Sequence, residues 1–513
     1  MRSTNSIKNA ITAVISNVVT ILIGIVSQAI FIKTLGAEYL GINGLFTNIV
    51  SMLGIVELGI GSAIIYNLYE PIAKDDKEKI KSLMNLYKKS YRVIAVIVFI
   101  IGMMIIPFLK NIVGDISIDI NIEFIYSLFI IDVVASYLLT YKRSILYANQ
   151  KTYITNIVHI GYLIVMNTLQ IVILLIAKNF IAYLMIKIIC RILENIVITI
   201  IANRKYPYIK EKNVKKIDKK TTKDIIKKVK GLIFHKVGSF VVLGTDNIII
   251  SKFLGVVTVG LYSNYNMIIQ AVSNLFLQVF DSLIASVGNL LVEGNCKKSY
   301  EIYKNMLMIN SILFTFATTE IICLIEPFIK VWIGEQYILS KVVLIILMVN
   351  FYIQGMRKTC LVFKMAAGIF HEDRYFPIIE SIINIIVSVI LVKIIGLPGV
   401  FLGTIVSTLP VILISYPKYV YIPLFHKSFW NYVKENAYYY ILAFITVSIA
   451  MIVTSYININ NLIVKLIVNA ITSSIIFAIM QYIFFHNKSE YKYLKNMLKN
   501  FILKIKGKNV YEN

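Results

Sequence analysis

The 513-residue chain is 58% hydrophobic and 15% charged, and its mean hydropathy is +0.76. A soluble protein would carry about a quarter charged residues, so this composition excludes the ordinary soluble globular class. The net charge of +25 does not indicate nucleic-acid binding, because the lysines lie between apolar segments, where a basic excess sets membrane topology.

Apolar segments of about 20 residues recur along the whole chain, which predicts an all-α polytopic membrane protein with about 14 transmembrane helices. In chain order, the predicted helices cover about residues 10–32, 40–65, 92–109, 122–141, 153–177, 180–202, 233–254, 260–291, 304–331, 341–365, 376–395, 399–420, 437–457 and 461–485. The first of them exceeds a signal-peptide core and lacks a clear cleavage site, so it is interpreted as an uncleaved helix.

Two stretches of the sequence occur twice. Lys33–Gly41 and Lys252–Gly260 share the pattern K-x-L-G-x4-G, and Pro107–Lys110 recurs at almost the same spacing as Pro327–Lys330. Matches in one register indicate duplication. We therefore predict two parallel six-helix repeats, related by an axis along the membrane normal and followed by two C-terminal helices without a twin.

The repeats and the charge distribution predict the domain organisation. The predicted divisions are an N-terminal six-helix lobe at 1–202, a basic cytoplasmic linker at 203–231, a C-terminal six-helix lobe at 232–425, helices 13 and 14 at 426–485, and a basic cytoplasmic tail at 486–513. Apolar residues at helical spacing within 203–236 predict an amphipathic helix on the membrane surface. An even number of spans puts both termini on one side. Placing them in the cytoplasm puts most of the 52 Lys and Arg residues there too.

Charged residues inside the predicted spans are the first candidates for function, because charge is costly in lipid. Arg191 lies near the middle of helix 6, and Lys187 and Glu194 share its helix face. Glu194 can neutralise only one of the two cations, so the remaining charge is predicted to bind an anionic substrate. A structural ion pair between Arg191 and Glu194 is the alternative interpretation.

Further polar residues complete the set of candidates. The predicted substrate-binding residues are Arg191, Lys187, Lys33, Lys252, Asn17 and Gln28, and the predicted gating or ion-coupling residues are Glu57, Asp281, Asp246 and Asp132. For Lys33 and Lys252 the alternative is snorkelling to the outer interface. The acids have structural alternatives too: ion pairs with loop lysines for Glu57 and Asp281, and a backbone hydrogen bond for Asp246, with Asp132 similar. His159 is interpreted as a packing residue.

The sequence contains no G-x4-G-K-[ST], HExxH or G-x-S-x-G motif, and its Cys and His residues form no recognisable constellation. We therefore expect a transporter and not an enzyme, without a metal site or a cofactor. Coupling to a monovalent cation or to the membrane potential is left open.

Several segments carry a resemblance to a known family. They are Phe31–Gly44, Glu57–Lys89, Tyr141–Tyr153, Gly244–Gly260 and Gly396–Ser407. With these segments the chain resembles the polysaccharide-unit flippases of the multidrug/oligosaccharidyl-lipid/polysaccharide superfamily. The resemblance implies two lobes around a cationic cavity. It also implies a substrate of oligosaccharide on undecaprenyl pyrophosphate, moved from the inner to the outer leaflet of a bacterial cell membrane for surface polysaccharide synthesis.

The expected partners follow from that substrate and from the charge pattern. They are the lipid-linked oligosaccharide, anionic lipids at the basic cytoplasmic face, and a glycan polymerase and glycosyltransferases, with no nucleic acid. One alternative is a cation-coupled multidrug antiporter of the same superfamily, although the net positive cluster disfavours it. A sugar-joining polymerase would need a large outer loop, which the sequence lacks. A scaffold that does not transport is separated from a flippase only by a transport assay.

Overall fold

A computed structural model of the chain describes residues 2–57, 60–211, 214–215, 217 and 244–495. Helices account for nearly all of the regular structure, and the described residues contain no strand. The protein is therefore a polytopic all-α membrane protein, as the sequence predicts. The amphipathic helix predicted within 203–236 and the tail predicted from 486 lie largely outside these residues.

The helices follow in chain order. They are α1 (Arg2–Leu35), α2 (Ala37–Leu53), α3 (Ile60–Ala73), α4 (Lys77–Ile105), α5 (Leu109–Val113), α6 (Ile122–Ala148), α7 (Thr152–Ala177), α8 (Phe180–Lys205), α9 (described residues 244–254), α10 (Val256–Val292), α11 (Cys296–Trp332), α12 (Lys341–Ala367), α13 (Phe376–Ile395), α14 (Leu397–Pro410), α15 (Ile422–Phe425), α16 (Phe429–Ser455) and α17 (Leu462–Phe485). Short 3₁₀ helices cover Gly54–Glu57, Ile106–Phe108, Pro207–Lys210 and Glu335–Tyr337, and a π-helix covers Val411–Tyr421.

Within the described part of the chain, 11 helical segments are long and apolar enough to cross a membrane. Many of these segments begin at a polar residue whose side chain accepts a hydrogen bond from the backbone of the first turn. Examples are Asn121 at α6, Asn179 at α8 and Ser340 at α12. Such caps satisfy amide groups that the helix leaves without partners, so the sequence itself marks these boundaries.

The structure corrects several predicted helix boundaries, among them those of α2, α4 and α6. The third transmembrane helix begins at Lys77 and not near residue 92, because Asp76 caps it by accepting a hydrogen bond from the Lys79 amide. The helix predicted at 40–65 is broken, because α2 ends at Leu53 and a 3₁₀ turn follows before α3. The helix predicted to end at 141 continues to Ala148, which places Arg143 inside a transmembrane helix.

The chain forms two compact units, Met1–Asn264 and Tyr265–Asn513. In the first unit, α1 packs against α7, α4 against α6, and α8 against both α6 and α7. Its core includes a group of buried tyrosines on α4 and α6, namely Tyr87, Tyr91, Tyr137 and Tyr141. This packing brings the polar faces of α6, α7 and α8 together.

In the second unit, α11 packs against α12, α16 and α17, and α13 forms a tight hairpin with α14. The hairpin depends on small residues. A Cβ atom at Gly399 would lie 2.4 Å from the Leu391 carbonyl oxygen, and one at Gly403 would lie 2.1 Å from Ser388 Oγ. Close approach through glycine is the usual way that membrane helices pack, since lipid removes most of the hydrophobic drive between them.

Candidate functional site

The candidate site is a cluster of charged side chains where α6, α7 and α8 meet in the first unit. We call it the ionic cluster, and its members are Asp132 and Arg143 on α6, His159 on α7, and Lys187, Arg191 and Glu194 on α8. The three α8 residues share a helix face because they are four and then three positions apart. The site therefore combines the predicted Lys187, Arg191 and Asp132 with Glu194 and two further residues.

Asp132 lies beside Lys187 and Arg191, the two predicted cations on α8. Its Oδ2 atom is 3.2 Å from Lys187 Nζ, and its Oδ1 atom is 3.6 Å from Arg191 Nε. The Asp132 side chain is only 8% exposed. The backbone hydrogen bond considered for Asp132 is thus replaced by contacts with two cations from another helix.

Glu194 is fully buried and lies at the centre of the ionic cluster. Its Oε1 atom is 3.0 Å from Arg143 Nη2 and 3.0 Å from His159 Nδ1, whereas its Oε2 atom is 3.7 Å from Arg191 Nη1. A buried carboxylate is tolerated only when it is paired. The ion pair of Arg191 with Glu194 is therefore present, but it is the longest of three contacts, and Arg143 and His159 supply the shorter ones.

Asn195 fixes the position of Arg143. Arg143 Nη2 donates to Asn195 Oδ1 at 3.1 Å, and the Asn195 amide donates to the backbone oxygens of Ala135 and Ser136. Because these last contacts tie α8 to α6, they hold the Arg143 guanidinium against Glu194. Arg143 is therefore held in place by contacts that do not involve Arg191.

Several buried polar atoms in and beside the ionic cluster have no hydrogen-bond partner among the described residues. They are Asp132 Oδ1, Arg143 Nε, Tyr162 OH, Arg191 Nε and Glu194 Oε2. Buried polar groups are nearly always paired, with protein, water or ligand. Apart from His159, three basic side chains also face two carboxylates here, which leaves one positive charge in excess. The cluster can therefore accept a further anion.

Aromatic rings line the two cations. Lys187 Nζ lies 5.2 Å from the centre of the Phe129 ring, and Arg191 Cζ lies 5.0 Å from the centre of the Tyr162 ring. The His159 ring also stacks on the Tyr162 ring, and their centres are 5.5 Å apart. Such contacts are attractive for a cation and orient it. Arg191 is nonetheless 26% exposed, so part of its side chain remains accessible although its Nε atom is buried.

The other predicted substrate-binding residues lie apart from these contacts. Lys33 and Lys252 are exposed near the ends of α1 and α9. Gln28 donates from Nε2 to Asn264 Oδ1 at 2.7 Å. Asn17 is half-buried on α1.

The remaining predicted gating residues are scattered over the fold. Glu57 accepts a hydrogen bond from the Tyr91 hydroxyl in the tyrosine core. Asp246 lies on α9, where its Oδ1 atom has no hydrogen-bond partner among the described residues. Asp281 is exposed on α10 in the second unit.

Sequence reasoning missed several charged groups. Arg143 lies beyond the predicted end of its helix at residue 141, and only the extension of α6 to Ala148 shows that it lies within the span. The second unit contains a buried pair of Arg357 on α12 with Glu380 on α13. Both residues stand inside apolar segments, so their position alone was a usable signal.

The Arg357–Glu380 pair is a closed structural network. Arg357 Nη1 lies 2.7 Å from Glu380 Oε1 and Nη2 lies 3.1 Å from Oε2, which is the bidentate geometry of a strong pair. Gln354 accepts a further hydrogen bond from Arg357 at 2.9 Å, and Thr408 donates to Glu380 at 3.2 Å. The guanidinium of Arg357 therefore donates hydrogen bonds to its carboxylate, whereas the guanidinium of Arg191 lies 3.6 and 3.7 Å from its carboxylates.

Comparisons with known proteins agree with this architecture. The sequence model of the family described as "Polysaccharide biosynthesis protein" matches residues 6–284, more than half of the chain. A comparison with curated protein sequences found no match.

Solved structures share the fold at low identity. The lipid II flippase MurJ, in an inward closed conformation, is similar with a TM-score of 0.62 at 16% identity over 94% of this chain and 99% of that one. An inward-facing multidrug resistance MATE family transporter of the MOP superfamily is similar with a TM-score of 0.57 at 14% identity, over 82% of this chain and 95% of that one. An outward-facing MATE structure gives a TM-score of 0.52 at 14% identity, over 85% and 96%.

Proposed function

This chain belongs to the polysaccharide biosynthesis protein family, and from that premise we propose that it is a flippase for a lipid-linked oligosaccharide. The proposed substrate is an oligosaccharide repeat unit on undecaprenyl pyrophosphate, carried from the inner to the outer leaflet for surface polysaccharide synthesis. Transport, and not catalysis, is the proposed activity.

The main observation behind the proposal is the set of contacts that Arg191 makes. Its guanidinium lies within a membrane helix, is partly exposed, and approaches carboxylates only at 3.6 and 3.7 Å, beyond hydrogen-bond distance. An arginine presents five donors in a planar fork that suits phosphate oxygens. Lys187 lies one turn away on the same face and adds a second cation.

The chemistry of the substrate explains why such a site is needed. A pyrophosphate carries negative charge that must cross a medium of low dielectric constant, where an unpaired charge is expensive. One uncompensated positive charge at the ionic cluster lowers that cost, and charge-assisted hydrogen bonds from Arg191 add to it.

The proposal includes a location and a mode of action. We place the protein in the bacterial cytoplasmic membrane with both termini in the cytoplasm, and we assign transport to alternating access of two helical lobes. Anionic lipids would contact the basic cytoplasmic face. A glycan polymerase and glycosyltransferases would be its partners in synthesis, and a monovalent cation or the membrane potential would supply the driving force.

A multidrug antiporter is the main alternative, since the solved structures with this fold include MATE transporters. A cationic drug calls for an acidic site. The ionic cluster has three basic side chains against two carboxylates, which favours an anionic substrate.

The direct test is transport in proteoliposomes. Purified protein is reconstituted with a fluorescent undecaprenyl-pyrophosphate oligosaccharide, and an impermeant quencher reports how much of the lipid changes leaflet. We expect wild-type protein to move it and Arg191→Ala to do so poorly. Arg374→Ala, which changes a half-buried arginine between α12 and α13, is the matched control. Equal movement with and without wild-type protein would refute the proposed function.

A further inference from the structure

Asp132 is the carboxylate beside Lys187 and Arg191, and it contacts both of them without binding Arg191 well. Its Oδ1 atom is 3.6 Å from Arg191 Nε, and both atoms are buried without a hydrogen-bond partner among the described residues. Its contact with Lys187 Nζ, at 3.2 Å, is longer than the roughly 2.8 Å of a strong charge-assisted hydrogen bond. The carboxylate therefore compensates charge while leaving the donors of the guanidinium unused.

The same chain shows what a permanent ion pair looks like. Glu380 meets Arg357 through two hydrogen bonds of 2.7 and 3.1 Å, and Gln354 and Thr408 complete the network. Asp132 and Arg191 have the same charges and also lie within helices long enough to cross a membrane, without that geometry. Asp132 is thus a weak partner that a better-fitting anion can replace.

We propose that Asp132 is a specificity-determining residue that occupies Lys187 and Arg191 when no substrate is bound. An incoming anion must displace it, so a ligand with two linked phosphoryl groups succeeds where a single phosphoryl group competes poorly. The site would then prefer the loaded pyrophosphate carrier to a polyprenyl monophosphate. This inference rests on the proposed function.

The same exchange assists release. When the pyrophosphate leaves, the Asp132 carboxylate returns to the two cations, so neither of them is left bare in the membrane. Without this carboxylate the substrate should bind more tightly and leave more slowly. Asp132→Asn is therefore expected to lower the substrate concentration for half-maximal transport and to lower the maximal rate as well.

The experiment measures binding to purified protein in lipid nanodiscs. The ligands are undecaprenyl pyrophosphate and undecaprenyl monophosphate, with undecaprenol as the uncharged baseline. We expect wild type to prefer the pyrophosphate. Asp132→Asn should bind the pyrophosphate about fivefold more tightly or better, in the range of typical coupling effects, and should lose most of the preference. Glu380→Gln, the matched carboxylate control, should gain no affinity.

Two results would distinguish failure of the Asp132 inference from failure of the proposed function on which it rests. If Asp132→Asn keeps the wild-type affinity and preference while Arg191→Ala weakens pyrophosphate binding, Asp132 has no role in selection and the proposed function stands. If neither wild type nor Asp132→Asn binds the pyrophosphate better than undecaprenol, the proposed substrate class fails, and the inference with it. The ratio of the two affinities, measured on one preparation, does not depend on the folded fraction, and Asp132→Ser provides a second variant.

Discussion

Gly41 and Gly260, which occupy the same position in the two copies of the K-x-L-G-x4-G motif, lie against each other's helix. A Cβ atom at Gly41 would lie 1.9 Å from the Val256 carbonyl oxygen, and one at Gly260 would lie 2.1 Å from the Ala37 carbonyl oxygen. Ala37 and Val256 are themselves twins, each following the first glycine of its motif. The contact is thus reciprocal, and the repeated glycines are explained by the packing of α2 against the start of α10.

Gly41→Ala and Gly260→Ala should each destabilise the protein. The added methyl would overlap a backbone oxygen, which cannot move aside as a flexible side chain can, so an overpacking penalty of about 1–3 kcal/mol is expected. Thermal unfolding of the purified protein measures the effect. Gly161→Ala is the control, since a Cβ atom there meets nothing within 4 Å. Equal unfolding temperatures for all three variants would contradict this account.

Arg191→Ala should lower glycan export in cells while leaving protein abundance and membrane insertion intact. Arg191→Lys should recover only part of the export, because lysine keeps the charge and loses the bidentate fork. Surface glycan, normalised to the amount of protein in the membrane, is the readout. Full export by Arg191→Ala would remove Arg191 from the substrate path.

The double substitution Arg191→Leu with Glu194→Leu should not restore export. If the two residues served only to pair with each other, removing both would be tolerated. In the structure the shorter contacts of Glu194 are with Arg143 and His159, at 3.0 Å each, so the double variant would leave Arg143 without its buried carboxylate. Comparison of export by the double variant with each single variant tests this, and restored export would support a simple ion pair.

Glu194→Gln should destabilise the first unit more than Asp132→Asn does. Glu194 is fully buried and contacts three basic side chains, and breaking a buried pair costs about 3–5 kcal/mol. Asp132 makes longer contacts, so its loss should have the smaller effect. Unfolding temperatures of the two variants in the same detergent give the comparison. The opposite ranking would contradict the central role of Glu194.

Asp75→Cys and Ile116→Cys should react on opposite sides of the membrane. They flank the continuous span Lys77–Val113, and the charge asymmetry predicts that position 116 is outside. In a background without the four native cysteines, an impermeant thiol reagent applied to intact cells should label Ile116→Cys and should label Asp75→Cys only after permeabilisation. The reverse pattern would invert the proposed orientation.

The sequence by itself was enough to predict the class of the protein, the approximate positions of its helices and the shared face of Lys187, Arg191 and Glu194. These features depend on local quantities: the length of apolar runs, the capping residues and the 3.6-residue period of one helix. The duplicated motif likewise appeared in the sequence. The contact between Gly41 and Gly260 could not be predicted, because a glycine in a repeated motif does not identify the residue that it packs against.

Only the tertiary structure decided which charges meet. Asp132 and Arg143 on α6 and His159 on α7 reach the charged residues of α8, and the rotation of each helix about its axis selects the residues that face inward. In lipid, an apolar surface is compatible with both packing and exposure, so hydropathy does not determine that rotation. Small residues and polar contacts determine it instead, and they act between segments that are far apart in the chain.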